Sequence, residues 1–92
     1  MPVIVRVPTQ LRSLTGGKGE VAVEATTAGQ ALEALDALHP GFAERLFDEQ
    51  GTLRRFVNVF VADEDVRFAK GLDTPVAEGE TVSIVPAVAG GS

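Results

Sequence analysis

The chain carries a single helical pattern of any length, and that limits what its 92 residues can build. Thr27-Ala28-Gly29-Gln30 places a hydroxyl at an N-cap and an amide three residues on, the pairing that satisfies orphan backbone donors at a helix start. Ala28, Ala31, Leu32, Leu35 and Leu38 then recur at helical spacing until His39-Pro40-Gly41 stops the run. A shorter helical piece, Phe42 to Phe47, precedes an Asp48-Glu49-Gln50-Gly51 turn. One amphipathic helix covers one face of a sheet, so the rest of the chain has to supply a sheet whose other face is open.

The strands are legible by their period. Val3-Ile4-Val5-Arg6-Val7 is a β-branched run ended by Pro8, and Glu20-Val21-Ala22-Val23-Glu24-Ala25 alternates polar with apolar. Between them Leu11 and Leu14 lie in a polar stretch closed by Thr15-Gly16-Gly17-Lys18-Gly19, a turn signal that lets the two strands return as an antiparallel hairpin. Arg54 to Ala62 is the strongest strand, with Val57, Val59 and Val61 on one side and Phe56, Asn58 and Phe60 on the other. Asp63-Glu64-Asp65 reads as a turn and Val66-Arg67-Phe68 as a short return strand. Leu72 to Val76 reads as a tight turn or single helical turn, Glu78-Gly79-Glu80 as another turn, and Thr81 to Val85 as a last strand closed by Pro86. The first and last strands are the most apolar and form the natural central pair; pairing them in parallel requires the crossover that the helix supplies. The expectation is an α+β fold in the β-grasp arrangement, a mixed sheet covered on one face by one main helix. No repeat or linker interrupts the chain, so residues 1–86 are expected to form one domain and residues 87–92 a flexible tail.

Composition removes several function classes. Cysteine is absent, so there is no disulfide framework, thiolate nucleophile or thiolate metal site, and the chain suits a reducing compartment. Net charge is -5, and no basic run is longer than Arg54-Arg55, which argues against nucleic acid as a partner. The acidity reads first as solubility and second as a means of steering a basic partner. Arg6 and Pro8 interrupt the opening apolar run, leaving no room for a signal-peptide core or a membrane span; a cytoplasmic protein is expected.

Candidate chemistry is sparse. His39 is the one histidine, placed where a helix dipole favours a stop residue, and with no cysteine it lacks converging partners for a metal. Asp63-Glu64-Asp65 lacks the alternating ligands and central glycine of a calcium loop. Ser13, Ser83 and Ser92 sit in no nucleophile-elbow context, and Gly16-Gly17-Lys18-Gly19 does not meet P-loop spacing. No catalytic residue, metal site or cofactor is expected in the chain itself. What remains is Pro86-Ala87-Val88-Ala89-Gly90-Gly91-Ser92. Proline ends the last strand, small residues follow, and glycine without Cβ passes through a narrow channel and approaches other backbones closely.

These residues resemble the ThiS/MoaD family of ubiquitin-like sulfur carriers. The likeness runs through Phe56-Val57-Asn58, Leu72, then Val76-Ala77-Glu78-Gly79-Glu80-Thr81-Val82-Ser83-Ile84-Val85-Pro86, and ends in Ala87-Val88-Ala89-Gly90-Gly91. Within the family, the tail and the segment Arg55 to Asn58 with Asp63 to Phe68 look most similar to carriers of the thiocarboxylate route to cysteine. The resemblance implies that an activating enzyme uses ATP to adenylate the Gly91 carboxylate. A sulfur donor, or sulfurtransferase, then converts the acyl-adenylate to a thiocarboxylate that delivers sulfur to a biosynthetic acceptor. Gly90, Ala89 and Val88 would be recognised as the tail enters its partner. The cysteine route further implies a sulfur-accepting synthase that uses pyridoxal phosphate and a zinc metalloprotease that releases the product, both cofactors belonging to partners.

Ser92 departs from the family pattern, in which the working end is Gly-Gly. Either Ser92 is clipped from a precursor or it is not native to the chain; the first is preferred. Two other functions share the fold: a ubiquitin-like modifier joined to lysines through Gly91, and a non-conjugating interaction domain for which the tail would be dispensable. On the strand side opposite the valines, Phe56, Asn58 and Phe60 are the expected partner surface, since paired exposed aromatics on a small protein mark a contact site.

Overall fold

Valine at every second position sets the sheet. The computed structural model describes residues 2–55 and 57–86, and these form five strands and two α-helices. Strand β1 (Pro2–Arg6) pairs antiparallel with β2 (Glu20–Glu24) and parallel with β5 (Thr81–Pro86). Strand β3 (Val57–Val61) runs antiparallel to β5 on one side and to the short β4 (Glu64–Asp65) on the other, giving the order β2-β1-β5-β3-β4. The parallel β1–β5 pair sits at the centre, as the apolar character of both strands anticipates. Val5 faces Val82 and Val59 faces Ile84, so period-two side chains from neighbouring strands stack on one face.

Helix α1 (Ala28–Leu38) lies on that face. Its Ala28, Ala31, Leu32 and Leu35 are fully buried, together with Val3, Val5, Val59 and Val82 of the sheet. Gly29 is buried as well, because the turn at Leu72 packs directly on its Cα. The helix starts where the sequence places it, with the Thr27 hydroxyl accepting from the Gln30 N–H at 3.2 Å. The reciprocal bond goes one residue further back: Gln30 Oε1 accepts from the Thr26 N–H at 2.9 Å and the Thr26 hydroxyl at 2.8 Å. There the chain pairs with residues 75–76, Thr27 bridging Pro75 and Val76 donating to the Thr26 carbonyl.

Leu38, expected on the buried stripe, is 58% exposed. Gly41, with φ of +118°, turns the chain sharply, and Phe42 and Leu46 of α2 (Phe42–Leu46) occupy the core beyond the end of α1. Asp36 holds this corner by accepting from the backbone N–H of Gly41 at 3.2 Å and Ala43 at 3.0 Å, a cap supplied to α2 by the preceding helix.

Three other segments differ from the sequence reading. The polar stretch after β1 is a 3₁₀ helix, Thr9–Thr15, whose buried Thr15 hydroxyl sits between the carbonyls of Arg12 and Lys18. Residues 54–55 belong to a turn, the Arg54 carbonyl accepting from Val57, so β3 is shorter than Arg54 to Ala62. The return strand is Glu64–Asp65, reached by a two-residue loop in which Ala62 and Asp63 take φ of 51° and 71°. Val66–Phe68 is a 3₁₀ turn instead of a strand, because the Asp65 carboxylate accepts from the Arg67 N–H at 2.9 Å and bends the chain there. Among the described residues no helix is long and apolar enough to cross a membrane.

Candidate functional site

The site is built from the last described residues of the central strand. Strand β5 pairs on both sides, and its final residue, Pro86, lies opposite Val57 at the start of β3. Pro86 ends the described chain at this level, and Gly91 follows five residues later. Val88, Ala89, Gly90, Gly91 and Ser92 lie outside the described residues, as does Phe56 of the expected partner surface.

The other two members of that surface are placed as alternation requires. Val57, Val59 and Val61 are buried toward α1, so Asn58 and Phe60 point to the opposite, helix-free side. Both are half-buried instead of open. Across the ladder, Asn58 faces Val85 and Phe60 faces Ser83, while Ser83 faces Arg6 on β1 and Phe60 faces Asp65 on β4. Arg6 continues this row to Glu20 through an ion pair at 3.7 Å. The row Arg6, Ser83, Phe60 and Asp65 is thus mostly polar, and Val85 lies two residues further along β5, next to Pro86. Val85 there is 45% exposed.

One residue of this end was read as part of a strand and has a different position. Phe68 is 86% exposed, the most open of the large hydrophobic side chains among the described residues. The turn that carries it is tied to the end of the sheet by Arg67, whose Nη1 donates to Asn58 Oδ1 at 2.7 Å and whose Nη2 donates to the Arg54 carbonyl at 2.8 Å. Arg54 in turn donates through Nε and Nη2 to the Glu44 carbonyl, at 3.2 and 3.0 Å, joining α2 to the same corner. Arg54 and Arg67 therefore tie together the end of the ladder at which Val57 faces Pro86. The sequence signal for this arrangement is Asp65 two residues before Arg67, a capping spacing that turns the chain and leaves Phe68 outside.

The remaining candidates have structural duties or none. His39 is the C-cap of α1, its N–H donating to the Leu35 carbonyl. Asp65 is the cap already described. Among the described residues no three of His, Asp and Glu gather as metal ligands. A groove of about 970 Å³ lies on the helix side between α1, α2 and Leu72, and neither Asn58 nor Phe60 lines it.

A family model described as the ThiS family matches residues 5–91. The sulfur carrier protein CysO of Mycobacterium tuberculosis is 50% identical over 93 residues, covering 99% of this chain and all of that protein. Among solved structures, a chain of the Amycolatopsis orientalis BexX/CysO complex superposes with a TM-score of 0.90 at 45% identity, over 97% of this chain and 99% of that one. SAMP1 of Haloferax volcanii is similar at a TM-score of 0.84 and 28% identity, over 99% of this chain and all of the other. The sheet order, the covering helix α1 and the family match reaching Gly91 agree: the chain belongs to the ThiS family of ubiquitin-like β-grasp proteins.

Proposed function

We propose that this protein is a sulfur carrier that works through the carboxylate of Gly91. A carboxylate is a poor electrophile until one oxygen is made a leaving group. In the proposed cycle that oxygen attacks the α-phosphorus of ATP on an activating enzyme, expelling pyrophosphate. Hydrosulfide supplied by a sulfur donor then attacks the acyl carbon of the adenylate, expels AMP and gives up its proton, leaving a thiocarboxylate whose sulfur is the nucleophile in a later biosynthetic step. The chain supplies no catalyst for this; it is a co-substrate.

The observation that carries the reading is the extent of the family match. It runs from β1 to Gly91 and stops there, with Ser92 beyond it. This supports reading residues 1–86 as the body, residues 87–92 as the tail, and Ser92 as a residue removed before activation. Val88, Ala89 and Gly90 are proposed as the recognised tail, and Phe56, Asn58 and Phe60 as part of the docking surface. The CysO name of the 50% identical relative supports a cysteine route or a related sulfur-containing product, and the BexX/CysO complex supports a sulfur-accepting synthase among the partners. A zinc metalloprotease that releases the product completes the proposed set, working in the cytoplasm in keeping with a chain free of cysteine.

Likeness to SAMP1, named as a small archaeal modifier protein, supports a second reading in which activated Gly91 is joined to lysines of other proteins. Fold and activation are shared, and only the final nucleophile differs. The test of the first reading compares ATP–pyrophosphate exchange, with an activating enzyme of this family, for the full chain and for a chain ending at Gly91. Exchange restricted to the shorter chain is expected, since Ser92 converts the Gly91 carboxylate to an amide. Equal exchange by the full chain without clipping would rule out the precursor form.

A further inference from the structure

The short reach of the tail decides which part of the body an activating enzyme has to touch. Gly91 is the fifth residue after Pro86. Five extended residues span at most roughly 16–18 Å, so a protein that encloses the Gly91 carboxylate in its catalytic centre also covers the ground around Pro86. Phe68 and Val85 lie on that ground. Val85 precedes Pro86 and faces Asn58, and Asn58 is the residue that Arg67 grips, one position before Phe68.

Phe68 contributes little to the fold, since 86% of it is open to solvent. A single exposed hydrophobic residue is ordinary, but this one follows Arg67, which bonds Asn58 directly across from the part-exposed Val85. Its backbone is also held on three sides. Val66 is fully buried in the core, the Asp65 carboxylate caps the Arg67 N–H, and the Arg67 guanidinium spans Asn58 and the Arg54 carbonyl. A planar guanidinium bridging two acceptors on β3 and its preceding turn fixes direction as well as distance. The turn is therefore ordered before any partner arrives, which lowers the entropy lost when its aromatic ring is immobilised.

We infer that Phe68 is an anchor for the activating enzyme at the base of the tail, and that Arg67 is a positioning residue that holds it there. This rests on the sulfur-carrier reading and adds two residues to the surface formed by Asn58 and Phe60. The occupant is an apolar pocket beside the activating enzyme's tail channel, large enough for a phenyl ring.

The test measures adenylation kinetics for the chain ending at Gly91, with ATP saturating and the carrier as the varied substrate. Phe68→Ala should raise KM for the carrier by about 10- to 100-fold with kcat unchanged, the behaviour of a binding anchor remote from the reacting carbon. Arg67→Ala should raise KM by a smaller factor, and Arg67→Lys should recover part of it by reaching one acceptor. The double variant Arg67→Ala/Phe68→Ala should be no worse than Phe68→Ala alone, because Arg67 acts through the ring. An unchanged KM for Phe68→Ala would overturn the inference, as would losses that multiply in the double variant. A defect seen only with a sulfur-accepting synthase would overturn it too, by moving the anchor to another partner. If the unmodified chain ending at Gly91 is never adenylated, the sulfur-carrier reading itself fails, a result distinct from all of these.

Discussion

Val57 and Pro86 stand opposite each other as the end rung of the β3–β5 ladder. At this end of the described ladder α2, the turn before β3 and the Val66–Phe68 turn are joined by Arg54 and Arg67.

Phe60 tests the open face independently of Phe68. Its ring lies on the helix-free side, half-buried, between Ser83 and Asp65. Phe60→Ala is expected to weaken binding of the activating enzyme by about 1–3 kcal/mol while the domain stays folded. Calorimetric titration paired with a melting curve measures both. A variant that unfolds with no separable binding defect would make Phe60 a core residue and remove it from the surface.

Gly29 tests the packing of α1. In an open helix, Gly→Ala gains up to about 1 kcal/mol of propensity. Here an added Cβ would meet the Leu72 carbonyl oxygen at 3.0 Å and Leu72 Cβ at 3.1 Å. The facing turn has little room to retreat, because the Thr74 carbonyl accepts from Ala28 at 3.0 Å. Gly29→Ala should therefore destabilise by about 1 kcal/mol net, lowering Tm by roughly 4–8 °C. A raised Tm would mean that the turn yields and propensity wins.

Ala62 tests the loop between β3 and β4. Its φ of 51° is a left-handed conformation that costs an L-residue with a Cβ about 1 kcal/mol, and asparagine tolerates it better. Ala62→Asn should raise stability by about 0.5 kcal/mol, read as a higher denaturation midpoint with unchanged slope. A lower midpoint would contradict the strain assigned to this turn.

These elements also show what was legible in the residues alone. The valine alternation of β3 and the Thr27 cap are local signals of period and spacing, and both are found where the sequence puts them. Leu38 departs from its periodicity for a tertiary reason, and the Val66–Phe68 turn for a local one that competes with strand alternation. Leu38 loses its place in the core to Phe42 from the next helix, and Asp65 spends its carboxylate on the backbone two residues ahead in place of solvent. The same cap governs Phe68: as a strand residue it alternates, whereas on a capped turn it stands clear. The chemistry of Gly91 came from resemblance, since no spacing within the chain identifies a thiocarboxylate.

The most direct test of the central claim is sulfur loading at Gly91, followed by intact mass as one oxygen exchanged for one sulfur. A chain ending at Gly91, given an activating enzyme of the family, ATP and a sulfur donor, should load. Gly90→Val and Gly91→Val should not, because each Cβ enters a confined channel beside the reacting carbon. Their melting temperatures should match the parent, since changes away from structural features alter stability by no more than about 0.5 kcal/mol. Valine variants that load at the parent rate, or a parent chain that never exchanges oxygen for sulfur, would contradict the account.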